Sequence, residues 1–588
     1  MNHSWKTLLF AVFILWLGGC ESNENQIQAD DNVLKVAIDV EAVTLDAEFT
    51  LNGGSFPASF YQRGAISLGD SEAVTMLGET WDGGSAEALI IKGNYESIYQ
   101  HLDGALVPQN TRATVEDGLA IAADQALVVH VPRAIVVPTF SLDGGAFPTS
   151  VYDAAEFFLR PTGGTELISL GTTHVQPAPD TVVIPGTYDV IYSIKEGDQL
   201  PQNEFAVVMQ SVDLSATPSA LAVEIETCLF DGSWRLSVDG VLGEFPSSVY
   251  HRGEFSLRTD LGDSVHLGPS HASAGSVPVI AGTYNVVYNH LDGDEVPQNA
   301  HKVIKYRLVL SPGSVILEDV VDAWTTLSEL SLDGGAFPGS VYENAEIFLV
   351  DEDTAALTSL GLTHSPLTSL LVIEGSYNTA YSHIAGSIVP QNKSAILGLN
   401  VVVDEADEVA AININSATVE GDFSQNSSDF IADVYHQADF LIHPSAGGGE
   451  IFLGNTYAAP EPVVVIAGSY DVVYRHVDGD LLPQNPHHVA LTDQVFGGNH
   501  IVEVNILTRE VRPAFTLNSQ PFPASFYERG EFHLRGNHAG DFVYLGSSSD
   551  TPEDTLVIRG DYDAVYQHVQ GSLVPLNSKA VVGQLTVD

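Results

Sequence analysis

An all-β protein built from six tandem sandwiches is what this sequence predicts, and three observations carry the prediction. The phrase Gly282-Thr-Tyr-Asn-Val-Val-Tyr-Asn-His-Leu-Asp-Gly-Asp-Glu-Val-Pro-Gln-Asn299 recurs six times with variation. Its proline falls at Pro108, Pro201, Pro297, Pro390, Pro483 and Pro575, a period of 92 to 96 residues, and repetition at a fixed spacing marks a tandem array. Within each period, apolar and polar residues alternate over short runs parted by Gly, Pro, Asn and Asp, with no helical period of useful length. Seven or so strands in about 93 residues is the density of a β-sandwich.

The chain begins with a targeting segment, residues 1–19. Lys6 supplies a positive start, and Thr7 to Leu17 is an apolar run too short to span a bilayer with room to spare. The segment ends in Leu17-Gly18-Gly19-Cys20, which resembles the lipobox of bacterial lipoprotein signal peptides. The resemblance implies that Cys20 becomes an acylated N-terminus, so the membrane is a partner through the lipid. Glu21, where an Asp would retain such a protein at the inner membrane, implies the outer membrane. An ordinary secretory signal with a chance Cys, or a short membrane anchor, is the competing reading. Residues 20–30 form an acidic tether.

Composition narrows the partners. With 76 acidic and 22 basic residues the formal net charge is −54. Phosphates would be repelled, which argues against nucleic acid, and so would an anionic lipid surface. Only Cys20 and Cys228 occur, so no disulfide staples the acylated chain, and Cys228 in its strand-like run reads as a small buried hydrophobe.

The repeat divides the rest into units at 31–124, 125–217, 218–312, 313–405, 406–497 and 498–588. Each unit is much longer than a propeller blade and should own a core, which predicts an elongated array, beads or a rod, rather than a closed ring. Such an array would extend roughly 150 to 250 Å. In the fourth unit the strands read in order as Ser314–Leu317 and a second run to Leu330-Ser-Leu, then Val341-Tyr342, Ala345–Leu349, Leu360-Gly361, the long Leu371–His383, and Ala395–Val403. In the phrase of the third unit, Tyr284, Val286, Tyr288 and His290 share one face and Asn285, Val287 and Asn289 the other. Of 21 tyrosines, 18 fall in three recurring slots, represented by Tyr250, Tyr284 and Tyr288. Their rings are expected in the small cores, with hydroxyls reaching backbone carbonyls as in a tyrosine corner.

Gly-Thr-Tyr-Asn-Val-Val-Tyr at 282–288 resembles the hairpin of transthyretin-like, carboxypeptidase-regulatory-like domains and related bacterial Ig-like sandwiches. The resemblance implies a small Greek-key sandwich used as a spacer or adhesion module. One relative, the collagen-adhesin B-type domain, carries a Lys–Asn isopeptide bond. The fifth unit contains no Lys, so that bond is not general here.

The repeated polar residues invite a functional reading. His101, His290, His383, His476 and His568, with neighbouring Gln and Asn, are groups that bind sugar hydroxyls, and six copies would give avidity. The internal copies favour packing instead: Ile194 replaces the His in the second unit, and Leu576 replaces the Gln in the sixth. The Asn recurs in all six, at Asn110, Asn203, Asn299, Asn392, Asn485 and Asn577, and is read as holding a turn. No carboxylate cage, zinc spacing, nucleophile elbow or phosphate loop is present, so no catalytic residue, metal or cofactor is assigned. The expected function is a non-enzymatic surface lipoprotein, a repeat stalk, adhesin or envelope assembly component, whose partner is another surface protein or a polysaccharide. The alternative is a glycan- or polymer-binding array using Trp81, unmatched in the other units, and Tyr457.

Overall fold

The computed structural model describes residues 33–81, 85–215, 218–272, 275–365, 369–404, 408–536, 538 and 540–588. The targeting segment, the lipidation residue Cys20 and the tether lie outside the described residues. Every regular element described is a strand, as the alternation and the density of turn residues require.

The first unit shows the plan. After β1 (Val33–Val40) come β2 (Ala42–Leu51), β3 (Gly54–Ser55), β4 (Arg63–Gly69), β5 (Val74–Glu79), β6 (Ser85–Ile91), β7 (Gly93–Asp103), β8 (Ala113–Ile121) and β9 (Gln125–Val131). One sheet holds β3, β2, β6 and β9; the facing sheet runs β5-β4-β7-β8. Their inner faces enclose Leu45, Phe49, Ile66, Leu68, Ile90, Tyr95, Tyr99 and Val129. Six such cores recur along the chain.

The sheets straddle the repeat boundaries. β9, the opening strand of the second unit, pairs in parallel with β2 of the first. Residues 219–225, 313–323, 408–414 and 498–506 likewise pair in parallel with the preceding unit. Gly313–Leu332 is one strand of 20 residues that finishes the sheet of the third unit and starts that of the fourth. Consecutive units therefore follow one another end to end along the strand direction.

Each of the first five units thus takes the opening strand of its successor into its sheet, and the sixth also takes in a strand from another unit. Its sheet is completed by β1, which pairs in parallel with Thr508–Leu517 from Val33↔Glu510 to Val40↔Leu517. Val36, Ile38 and Val40 of β1 enter the sixth core beside Val511, Phe532 and Tyr566. The elongated array expected from the sequence is thus corrected. The six sandwiches close head to tail into a ring, each with its own core, because the first strand and the last sheet are the two halves of the contact made five times along the chain.

Candidate functional site

Three hydrogen bonds and one apolar plug make each junction. The Asn of Pro-x-Asn, fully buried in all six units, donates through Nδ2 to a tyrosine hydroxyl of the next unit. The pairs are Asn110–Tyr188, Asn203–Tyr284, Asn299–Tyr377, Asn392–Tyr470, Asn485–Tyr562 and, closing the ring, Asn577–Tyr95, at 2.8 to 3.0 Å. Its Oδ1 accepts from the backbone N–H of an isoleucine in that same next unit, Ile184, Ile280, Ile373, Ile466, Ile558 or Ile91. The residue between Pro and Asn donates its backbone N–H across the junction at 2.8 Å every time, including Leu576 to Leu89. Leu576 is tolerated because the bond belongs to the backbone. The isoleucines pack with the core of the preceding unit, Ile184 with the first and Ile91 with the sixth. The Asn is structural, as its recurrence suggested, but what it holds is the neighbouring unit.

The histidines serve the same loop. Nδ1 of His101, His290 and His568 lies 2.9 to 3.1 Å from the carbonyl oxygen of Pro108, Pro297 and Pro575. His383 and His476 occupy the same slot, with Nδ1 buried and short of a well-formed hydrogen bond. Burial holds all five imidazoles below their ordinary pKa, with nearby carbonyls and carboxylates acting the other way. Ile194, in that position in the second unit, packs against its core. Among the described residues, no three His, Cys, Asp or Glu side chains converge as a cation would require.

Two tyrosine slots behave as a tyrosine corner. Tyr99, Tyr192, Tyr288, Tyr381, Tyr474 and Tyr566 are fully buried and donate to the carbonyl of the loop proline. Tyr95 and its equivalents donate to the isoleucine carbonyl four residues back while accepting from the Asn of the preceding unit. Burial raises their pKa, to about 12 for Tyr95.

The third slot is where the sequence reading fails. Tyr61, Tyr152, Tyr250, Tyr342, Tyr435 and Tyr527 were expected in the cores and are 69 to 80% exposed. The residue before each, Phe60, Val151, Val249, Val341, Val434 or Phe526, is exposed as well. These tyrosines follow a turn, Pro- and Ser-bearing in five units and Ile431-Ala432-Asp433 in the fifth, so strand alternation does not apply to them. The turn is nonetheless fixed. A serine or aspartate two residues earlier accepts the tyrosine's backbone N–H in every unit, at 3.0 to 3.3 Å. The residue after the tyrosine ties the turn to the loop that follows β7 or its counterpart: Gln62, Glu343 and Glu528 accept from Leu106, Ile388 and Leu573. Those three loop residues are themselves exposed. In a head-to-tail ring, equivalent residues share one height and one radius. The six loops therefore form a single circle of exposed rings and aliphatic side chains.

Beside this circle lies a second recurring position. A Thr or Ser hydroxyl accepts from the backbone at Gly64, Ala155, Gly253, Ala345, Ala438 and Gly530. The residue that follows it is Trp81, His174, His271, His364, Tyr457 or Ser549. Trp81 and Tyr457 are thus one slot, and Trp81 has counterparts that sequence comparison did not reveal. Nδ1 of His174, His271 and His364 is buried there without a partner. In the first unit, Phe60 meets Trp81 edge-on at 5.4 Å and Tyr61 at 5.8 Å.

No family model matches the sequence, and no curated protein matches it. Solved structures align at low similarity. The Bacillus anthracis TIE protein is 12% identical over 61% of this chain and 68% of its own, with a TM-score of 0.13. The streptococcal ancillary pilin is 7% identical over 48% and 98%, at 0.14. Two B repeat units of the collagen binding protein of Staphylococcus aureus are 10% identical over 63% and 98%, at 0.11. At such scores the fold rests on the strand pairing described above.

Proposed function

We propose that this protein is a non-enzymatic, envelope-attached binding ring of the adhesin kind. The observation that carries the reading is the circle of six exposed tyrosine loops. A ring that is 69 to 80% exposed adds nothing to a core, yet every unit keeps one and holds it on the same backbone turn. Within each unit the exposed tyrosine stands next to a second exposed apolar residue, and exposed apolar side chains grouped in this way mark interaction surfaces. Loops fixed before binding lose little entropy on binding, and six equivalent contacts on one body convert weak affinities into avidity. Closure favours an adhesin over a stalk, since a ring keeps its length within itself. The lipid on Cys20 and the outer-membrane location complete the proposal: a tether of about a dozen residues would hold the ring close to the bilayer surface.

The test uses a fluorescent soluble form beginning at residue 31. It is expected to attach to intact cells or envelope fractions, and the variant with Tyr61, Tyr152, Tyr250, Tyr342, Tyr435 and Tyr527 all changed to Ala is expected to lose that attachment while keeping its melting temperature. Equal attachment by the two forms, or none by either, refutes the binding role. Cys20→Ser is expected to move the full-length protein from the membrane to the soluble fraction. Retention in the membrane refutes the lipid anchor.

A further inference from the structure

We infer that the first unit carries a subsite for the pyranose rings of an uncharged polysaccharide, formed by Phe60, Tyr61 and Trp81; the inference rests on the binding role proposed for the tyrosine loops. Three features single out this unit. It alone combines an aromatic residue before the exposed tyrosine with an indole in the adjoining slot; the sixth unit has Phe526 and Tyr527 but Ser549. Phe60 is 48% exposed and Tyr61 72%, and Trp81 is half-buried beside them. The rings stand nearly perpendicular, Phe60 to Tyr61 at 88° and Phe60 to Trp81 at 81°, so they form a faceted wall and not a flat stack.

The wall is rigid before any ligand arrives. Glu79 accepts from the indole Nε1 of Trp81 at 2.7 Å and pairs with Arg63 at 3.3 Å. The Arg63 guanidinium lies over the Phe60 ring, 3.5 Å from its centroid, and donates to the Phe60 carbonyl. One carboxylate thus fixes both the indole and the cation that packs against the phenyl ring. A preformed aromatic wall fits a ligand with an apolar C–H face and hydroxyls at its edges, which describes a pyranose.

Charge decides against the competitors. The chain's net charge of −54 opposes polyanions, and Arg63, the cation within the cluster, is engaged by Glu79. An anionic sugar would find no uncommitted guanidinium there. In the fifth unit, Tyr435 and Tyr457 hold the equivalent two positions and offer a second, smaller aromatic pair on the same circle.

Affinity electrophoresis of the whole soluble chain through gels containing laminarin, dextran, soluble starch or hydroxyethyl cellulose tests the subsite, with indole fluorescence as a second readout. The wild type is expected to be retarded by at least one of these polymers, with a change in Trp81 emission. Trp81→Ala and Tyr61→Ala are expected to weaken retardation about tenfold or more, as loss of an aromatic anchor does, while Tyr527→Ala changes it less than about twofold. Retardation of Trp81→Ala equal to wild type, or no retardation by any of the four polymers, overturns the subsite. The two proposals fail separately: loss of cell attachment in the sixfold tyrosine variant, together with unaltered Trp81→Ala retardation, removes the sugar subsite and leaves the binding ring standing.

Discussion

Removing β1 should open the ring, and the size of the effect follows from what the strand buries. Five junctions are covalently continuous; the junction between the sixth and first units is held by contact alone. β1 contributes an eight-residue parallel ladder and the side chains of Val36, Ile38 and Val40 to the sixth core. At about 1.5–3 kcal/mol for each buried aliphatic side chain, their removal costs roughly 5–9 kcal/mol, an upper range because unfolded chains also bury some surface. What then remains of the closure is Asn577 with Tyr95 and Ile91, Leu576 with Leu89, Ser578 with Val74 and Thr75, Asn518 with Ala42, and the Arg535–Glu72 ion pair. Against this stands the entropy of holding a six-unit arc closed.

Small-angle scattering reads the result directly. With ten-residue strands such as Ala42–Leu51 running along the circuit at about 3.4 Å per residue, six units span roughly 200 Å. Closed on itself, that contour has a radius near 32 Å and a radius of gyration of about 35 Å; fully extended it would approach 58 Å. The form beginning at residue 31 is expected near the lower figure. The form beginning at residue 42 is expected to be clearly larger, or to associate through the strand edge left open at Thr508–Leu517. A radius of gyration well above 40 Å for the intact chain, or no change on removing β1, would refute the closed ring.

Four further outcomes follow. Asn299→Ala, at an internal junction, leaves the N–H of Ile373 unpaired and Tyr377 without its donor; about 2–4 kcal/mol of local stability is expected to go, measured by calorimetry, with no change in radius. Tyr250→Ala is expected within about 0.5 kcal/mol of wild type and Tyr288→Ala to cost about 3–5 kcal/mol, a contrast that chemical denaturation will show. The five loop histidines have folded pKa values depressed by burial. The unfolded chain therefore takes up protons that the folded one refuses, so stability is complete above pH of about 6.5 and falls as the solution is acidified below it, visible as a declining melting temperature. Lys302 and Asp351 form a buried pair at 2.6 Å between the third and fourth units; Lys302→Ala is expected to cost about 3–5 kcal/mol by stranding the carboxylate, whereas Lys302→Met with Asp351→Asn, which keeps the Oδ1 acceptor for Asp353 and Thr354, recovers most of that in equilibrium unfolding.

Much of this was legible in the residues. Alternation and turn chemistry identified the strands, and the Tyr-x-Val-x-Tyr face identified the core and its hydroxyl–carbonyl bonds. Three things were not. Tyr250 and its equivalents sit in turns, where residue parity says nothing about burial. At the five internal junctions the Tyr and Ile partners of the Asn residues lie 73 to 81 positions further on, and a local motif cannot show whether its amide serves its own turn or the next unit. Ring closure depends on curvature, which no side-chain pattern states.

Six junctions built from the same Asn, Tyr and Ile raise a problem of order, since any unit could dock on any other while the chain folds, a hazard of repeat proteins. Superimposed on the shared contacts, four of the six junctions carry further polar partners, with one contact, Asn to a buried Asp, made at two of them. Asn203 meets the buried Asp263, whose pKa burial raises against the pull of Asn203 and neighbouring backbone N–H groups. Lys302 meets Asp351, His488 meets Asp541, and Arg535 meets Glu72. A wrong docking that separates Lys302 from Asp351, His488 from Asp541 or Arg535 from Glu72 keeps the three common hydrogen bonds but strands one of these groups, and an unpaired buried charge costs several kcal/mol. Discrimination of that size exceeds what the common bonds could supply, because they are the same everywhere. On this reading the double replacement at 302 and 351 should leave equilibrium stability nearly intact while lowering the fraction of chains that refold to the closed form, and an unchanged refolding yield would show that chain order alone sets the pairing.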